Sequence, residues 1–383
     1  MSDDVLVISP TPSHPQTAGN RARIFNLLSS IESLGYNVHF LHVNKGDGDE
    51  FAMQKHWDDR FYSFDYRPPN NRFRQLNRRI RRRLRLPGAY TYAIDEWYDP
   101  NLDDFIAKIT SNHCFKAVMV EYVFLSRALE CFDANVLKII DTHDVFTNRH
   151  LHYFSKGERP RWFSTTARKE AKGFNRADSI IATQQNEADF FTSITQRKVV
   201  TVGHIIEPRR AQEKSIVPGR ILLLGSNNKI NLHGANYFIK EVLPKVKSKL
   251  PHAELILAGS FCDGLGEHKN VVKLGMLDDL STTYESAAIV VNPMQFGTGL
   301  KIKSLEAMSY SKPLVTTPTG AEGIEEGNEK AFMLATNDQE FADCIVQILS
   351  HPKLARELSD SAYNFVTTRN LQAVEILKNI FEI

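Results

Sequence analysis

A chain of 383 residues is too long for one ordinary core, and two domains is the natural expectation. With 42% apolar and 24% charged residues and a net charge of +2, the composition excludes a disordered chain and gives no general attraction to nucleic acid. No run approaches the roughly 18 apolar residues of a membrane-spanning helix, and the acidic start MSDDVLVISP passes straight into a strand, so no secretory leader is expected.

Short apolar runs alternate with helical patterns along the chain. VLVISP (5–10), NVHFLHV (37–43), KAVMVEYVF (116–124), VLKIIDTHD (136–144) and SIIATQ (179–184) predict buried parallel strands. RIFNLLSSIESLG (23–35) predicts an amphipathic helix closing on a glycine. Between the first strand and this helix, SHPQTAGNRAR offers Gly19 and Asn20 for a tight turn, with the helix N-terminus behind it. A dinucleotide-binding turn would carry GxGxxG here, and its single glycine counts against an oxidoreductase.

RFRQLNRRIRRRLRLP (72–87) holds eight arginines, with Phe73, Leu76, Ile80 and Leu84 at spacings of three or four. This predicts a helix with an apolar seam and a basic remainder. Either the seam packs the helix onto its domain, or the helix lies on an anionic membrane surface through residues 72–86. Nucleic acid is not expected as a partner, because no aromatic platform accompanies the arginines.

Asp141, His143 and Asp144 end one predicted strand and Glu121 ends another, the carboxyl edge where α/β sheets place their ligands. A metal site joining Asp141, His143 and Asp144 to His150 and His152 is conceivable, yet the spacing matches no common zinc pattern. The four cysteines (Cys114, Cys131, Cys262, Cys344) form no CxxC pair and read as thiols of a reducing compartment. No metal is expected, and a cytoplasmic location is.

The polar segment 207–219 separates this series from a second one: RILLLGS (220–226), AELILAGS (253–260), NVVKLGM (270–276), AAIVVNPM (287–294) and KPLVTTP (312–318). Two series of alternating strands and helices predict two doubly wound sheets. In the second, GTGLK joins a strand to the helix KSLEAMSY. Glycines admit a ligand to the backbone, the helix start offers unpaired N–H groups, and Lys301 and Lys303 add positive charge, which together suit an anion. Glu306, one turn further in, suits a pair of sugar hydroxyls. The alternative is a glycine turn with solvated lysines and a surface glutamate.

PMQFGTGLKIKSLEAMSYSKPLVTTPTGAEGI resembles the nucleotide-sugar signature of glycosyltransferase family 4, retaining enzymes of the GT-B fold, in the branch written GxGxKxKxxEA and PVVxTxxGxEG. Residues 224–260, 139–149 and 9–24 are similar to the opening of the family's C-terminal domain, its interdomain histidine segment and its first glycine loop. The resemblance implies an α/β architecture of two doubly wound Rossmann-like domains facing across a cleft. Its expected parts are an acceptor-side domain over 1–206, a linker over 207–219, a nucleotide-sugar domain over 220–365, and a helix over 366–383 packing back on the first domain.

It further implies that Glu306 takes the donor ribose, while Gly297, Thr298, Gly299 and Leu300 present amides to the sugar and pyrophosphate. Lys301 or Lys303 would neutralise the leaving diphosphate, and Gly320, Glu322 and Gly323 would line the nucleotide pocket. Gly19, with Asn20, would flank the diphosphate, His143 would meet donor-sugar hydroxyls, and Arg23, Glu121, Asp141 and Asp144 would lie on the acceptor side. The chain departs from the pattern where Thr298 replaces a glutamate, and where Ser226 and Lys229 stand in place of the usual arginine and lysine.

The residues by themselves fit a nucleoside diphosphate; the resemblance implies transfer of a sugar from such a donor to a glycan or lipid-linked acceptor in surface polysaccharide or glycoconjugate synthesis. An epimerase or phosphorylase-like enzyme of the same fold, or a catalytically silent nucleotide-sugar-binding subunit, is the alternative. The donor is a substrate; no cofactor is expected.

Overall fold

The computed structural model describes residues 3–16, 18–68, 72–84, 86, 88–155, 157, 159–160, 162–277, 279–297 and 299–382. The chain divides into two compact units: Met1–Gly203 with Ala373–Ile383, and His204–Gln372. Each is built on one parallel sheet.

The first sheet uses β1 (Asp4–Ser9), β2 (Asn37–Asn44), β3 (Phe61–Asp65), β4 (Ala117–Glu121), β5 (Leu137–Asp141), β6 (Ser179–Ala182) and β7 (Lys198–Thr201), in the order β3-β2-β1-β4-β5-β6-β7. The second uses β8 (Arg220–Leu224), β9 (Glu254–Ala258), β10 (Val271–Gly275), β11 (Ile289–Asn292), β12 (Leu314–Thr316) and β13 (Met333–Leu334), ordered β10-β9-β8-β11-β12-β13. Every paired strand runs parallel, as β1 does with both β2 and β4.

The central strands are apolar on both faces because helices cover both faces. In the first unit Leu6, Ile8, Val118, Val120 and Ile140 pack into one core. In the second, Ile221, Leu255 and Val291 point to one side and Leu222, Ile256 and Val290 to the other. Strand order reverses between β1 and β4, and again between β8 and β11. In doubly wound sheets ligands settle at such reversals, beyond the carboxyl ends of the strands.

Two expected boundaries move. The segment 207–219 is not a free linker but is tied into the second unit, where Arg209 N donates to the Ser309 carbonyl at 2.6 Å and Val217 N to that of Ser286 at 3.0 Å. The C-terminal helix is one run, Pro352–Phe381, of which the part from Ala373 belongs to the first unit. There Phe381 packs 4.8 Å from Tyr36, ring centre to ring centre.

The arginine-rich helix, Arg72–Arg83, does not follow the first of its two readings. Its seam does not pack inward: Leu76, Ile80 and Leu84 are 57%, 50% and 61% exposed. The opposite face holds the helix to the unit, with the Arg78 guanidinium 3.8 Å from the centre of the Tyr92 ring and 2.6 Å from Glu96. The Arg82 guanidinium lies 4.9 Å from the Tyr90 ring. Planar guanidinium stems pack on aromatic faces as well as an aliphatic chain does, which is why the polar face can be the inner one. The side chain of Phe73 lies outside the described residues.

Candidate functional site

In the second unit the loop after β11 leads into the helix Ile302–Ser309. Gly297 and Gly299 adopt φ of 126° and 82°, a region L side chains rarely enter, which explains a glycine at both places. The turn they make brings an amide, an ammonium group and a carboxylate together. Gly299 N donates to Glu322 Oε1 at 3.2 Å, and Lys301 Nζ donates to Glu322 Oε2 at 2.8 Å. Lys301 Nζ also donates to the Gly299 carbonyl. A backbone N–H and a cation converging on two oxygens of one anion is the donor pattern of a phosphate site.

Lys303 turns to a different partner. Its Nζ donates to Asn231 Oδ1 at 2.5 Å, and Asn231 Nδ2 donates in turn to the Ser226 carbonyl and hydroxyl at 2.8 and 3.0 Å. This chain joins the loop after β11 to the loop after β8, across the sheet's reversal point. The two lysines therefore hold different partners, Glu322 and Asn231. Burial pushes the Lys303 ammonium down to about 8, while Glu306 works the other way. Lys229 is exposed at the start of the helix Lys229–Tyr237, whose first turn is capped by Asn228.

Glu306 lies one turn into its helix, half-buried. Burial raises its carboxyl, and the neighbouring Tyr284 hydroxyl and Lys303 oppose that rise. Tyr284 is fully buried and stacks on Tyr310 at 4.3 Å. Gly320 is buried and its carbonyl accepts from Ser304 Oγ at 2.7 Å. Gly323 N donates to Glu325 at 3.0 Å. Leu300 packs against the core, and Thr298 lies outside the described residues.

The first unit gathers its candidates at its own reversal point. His143 Nε2 lies 2.5 Å from Glu121 Oε2 and 3.4 Å from Asp141 Oδ2. The Tyr122 ring stacks on the imidazole at 4.3 Å, and Asn20 Nδ2 donates to the Tyr122 hydroxyl at 3.2 Å. Gly19 opens the helix Gly19–Ser33 beside Asn20 and is exposed.

Arg23 and Asp141 are corrections. Arg23 is only 4% exposed and grips Asp141 with Nη2 at 2.6 Å and Nε at 3.1 Å, and its Nη1 donates to the carbonyls of Val202 and Gly203 at 3.1 Å. With its donors engaged, it brackets the sheet rather than facing an acceptor or phosphate. Asp141 and Glu121 are wholly buried; Asp141 meets Arg23 and His143, and Glu121 meets His143.

The electrostatics follow from that enclosure. Burial disfavours a charged His143, but Asp141 and Glu121 outweigh it and hold the imidazole above its ordinary value. Burial and the Asp141 charge push Glu121 up to about 7. Burial also works against the Asp141 carboxylate, yet Arg23 and His143 keep it below the usual carboxylate range.

The conceivable histidine metal site does not assemble. Asp144 pairs with Arg149 at 2.6 Å, His150 bonds Ser164 at 2.8 Å, and His152 is exposed. Among the described residues, the metal-capable atoms that meet here are those of Glu121, Asp141 and His143. Asn231, Tyr122 and Tyr284 were not singled out from the sequence. Asn231 carried one legible signal, its place three residues after Asn228, in the first turn of the helix that follows β8.

Two Rossmann-like units with a phosphate-type loop in the second define the class, and the comparisons agree. Residues 218–351, within the second unit, match the family described as Glycosyl transferases group 1. Among solved structures, TarM of S. aureus superposes with a TM-score of 0.67 at 12% identity, covering 99% of both chains. HepE of Anabaena in complex with UDP gives 0.64 at 14% identity, covering 98% of this chain and 100% of that one. Sucrose-phosphate synthase of Thermosynechococcus elongatus gives 0.64 at 15%, covering 99% of each. Such identities establish the shared two-domain Rossmann-like fold. A curated relative, the uncharacterized 44.6 kDa protein in the cps region of Klebsiella pneumoniae, is 25% identical over 164 residues, 40% of this chain and 42% of that protein.

Proposed function

We propose that the protein is a retaining glycosyltransferase of family 4, moving a sugar from a nucleoside-diphosphate donor to a glycan or lipid-linked acceptor in surface polysaccharide or glycoconjugate synthesis. The observation that carries this reading is the convergence of Gly299 N–H and Lys301 Nζ on one pair of anionic oxygens, with Glu306 one turn beyond. The likeness to HepE, solved with UDP, and to TarM, solved with UDP and alpha-GlcNAc-glycerol, supports a nucleotide-sugar donor.

In the proposed reaction the acceptor hydroxyl attacks the anomeric carbon on the face the diphosphate leaves, and a phosphate oxygen takes its proton. The leaving oxygen keeps the electrons of the broken glycosidic bond, so negative charge grows on the diphosphate. Lys301 and the Gly299 amide stabilise that charge, Lys303 steadies the loop after β8 beside it, and Glu306 holds the ribose hydroxyls. No protein nucleophile is required, which suits a site whose carboxylates are tied to cations. His143 is the first unit's polar group for sugar hydroxyls, its ring set by Glu121 and Tyr122. No metal is required in this scheme, because Lys301 and the Gly299 amide take up the charge of the leaving diphosphate.

The test is a panel of nucleoside-diphosphate sugars scored by thermal stabilisation, since a ligand that binds the folded state raises its melting temperature. The stabilising donor is then incubated with acceptors and the product's anomeric configuration is read by NMR. A product of inverted configuration overturns the retaining mechanism. Stabilisation with no turnover on any acceptor favours a binding subunit, and isomerised or phosphorolysed donor favours the epimerase or phosphorylase-like reading.

A further inference from the structure

The helix Arg72–Arg83 is mounted inside out. Leu76, Ile80 and Leu84 recur every four residues and share one face, which at about 100° per residue lies opposite Arg78 and Arg82. Those two arginines are the anchors: Arg78 sits on Tyr92 and Glu96, while Arg82 sits over Tyr90 and donates to the Ala89 carbonyl at 3.3 Å. What remains outward is an apolar ridge of Leu76, Ile80 and Leu84, and Leu86 just beyond the helix is also exposed, at 44%. The exposed Arg79 and Arg83 flank it on one side and the exposed Arg81 on the other.

A second short helix, Arg149–Ser155, shares Tyr90 with the first. His150 stacks on that ring at 6.2 Å and Phe154 meets it edge-on at 4.8 Å, while Arg82 lies over it at 4.9 Å. This helix buries none of its residues, and Leu151 and Phe154 are 54% and 44% exposed. Two adjoining helices therefore present five large apolar side chains outward, or six with Leu86, among arginines.

We propose that this face docks on an anionic lipid surface, the leucines and Phe154 entering the headgroup boundary and Arg79, Arg81 and Arg83 meeting lipid phosphates. The charge complementarity decides the occupant. A water-facing surface has no use for an apolar ridge, whereas a nucleic acid would be met by leucines where it needs cations. An interfacial helix combines the two: apolar chains inward to the acyl boundary and guanidinium groups level with the phosphates. The proposal does not rest on the glycosyl-transfer reading, because binding to lipid can be measured without turnover. If both hold, the acceptor is lipid-linked and is met at the membrane surface.

The experiment is co-sedimentation of the full chain with sucrose-loaded vesicles of phosphatidylglycerol and phosphatidylcholine, compared with phosphatidylcholine alone. Binding is expected on the anionic vesicles and is expected to fall steeply with added salt, since screening shortens the attraction to about 8 Å at physiological ionic strength. Leu76→Ser, Ile80→Ser and Leu84→Ser together should weaken binding at least about tenfold, the loss expected when large apolar side chains no longer leave water. Being exposed, these changes should leave the melting temperature in place. Arg79→Gln, Arg81→Gln and Arg83→Gln together should abolish the preference for anionic vesicles. Vesicle binding unchanged in the leucine variant overturns the proposal. So do equal binding to neutral vesicles, stronger retention on RNA, or a dimer that only the leucine variant dissolves.

Discussion

The Lys301 ammonium lies 2.8 Å from one oxygen of Glu322, whose other oxygen accepts the Gly299 amide at 3.2 Å. A carboxylate thus occupies the two donors a diphosphate needs, and a diphosphate must displace it. Glu322→Gln removes the competing charge and leaves the shape. Nucleoside-diphosphate affinity should then tighten by roughly tenfold, the scale of one charge-assisted hydrogen bond. Isothermal calorimetry with UDP checks this, and weaker binding in the variant would assign Glu322 to holding Lys301 in place.

Lys303 makes donor binding depend on pH. Its proton leaves at about 8 instead of the ordinary 10.5, so the cation is present below about 8 and lost above it. Affinity for a nucleoside diphosphate should be full at neutral pH and decline as pH rises through about 8. Proton uptake on binding should appear near that pH, measured by calorimetry in buffers of different ionisation enthalpy. Between about 8 and 10.5 the unfolded chain holds a proton the folded chain lacks, so this group adds stability as pH rises across that window. Lys303→Met should remove both effects.

Glu306→Ala should weaken donor binding by about 1.5–3 kcal/mol, through the loss of hydrogen bonds to a charged acceptor. KM for the donor should rise while turnover at saturating donor stays unchanged, because the ribose is held equally in the ground and transition states. Unchanged affinity in calorimetry would remove Glu306 from the ribose.

Glu121 and His143 make stability fall with rising pH. Folded Glu121 keeps its proton to about 7 where the unfolded group loses it near 4.5, and His143 keeps its own above 6.5. Their contribution is full at the acid end of this range and is lost as pH passes their folded values. Asp141, held low, acts oppositely and only below its ordinary 3.8. Glu121→Gln should therefore flatten the decline in melting temperature between about pH 5 and 8. Scanning calorimetry across that range reads it, and an unaltered slope would move the titration to other groups.

Much of this molecule was legible in the chain alone. Alternation of apolar runs with amphipathic stretches follows from burying a parallel sheet on both faces, so the central strands of both units were visible. Of the edge strands, β10 was visible and β3, β7 and β13 were not; an edge is only half covered, so its apolar signal is weaker. GTGLK was legible as a glycine turn, and the φ of 126° and 82° found at Gly297 and Gly299 is a region that glycine enters readily. Long-range partners were decided by the tertiary structure. Arg23 reads as a surface arginine until β5 places Asp141 beside it, 118 positions away. Asn231 acquires its role from Lys303, 72 positions on. Periodicity divided the arginine-rich helix into two faces, but only the rings of Tyr90 and Tyr92 and the carboxylate of Glu96 determined which face turned inward. A helix records the angle between its side chains, and the choice of inner face depends on what the rest of the chain brings against it.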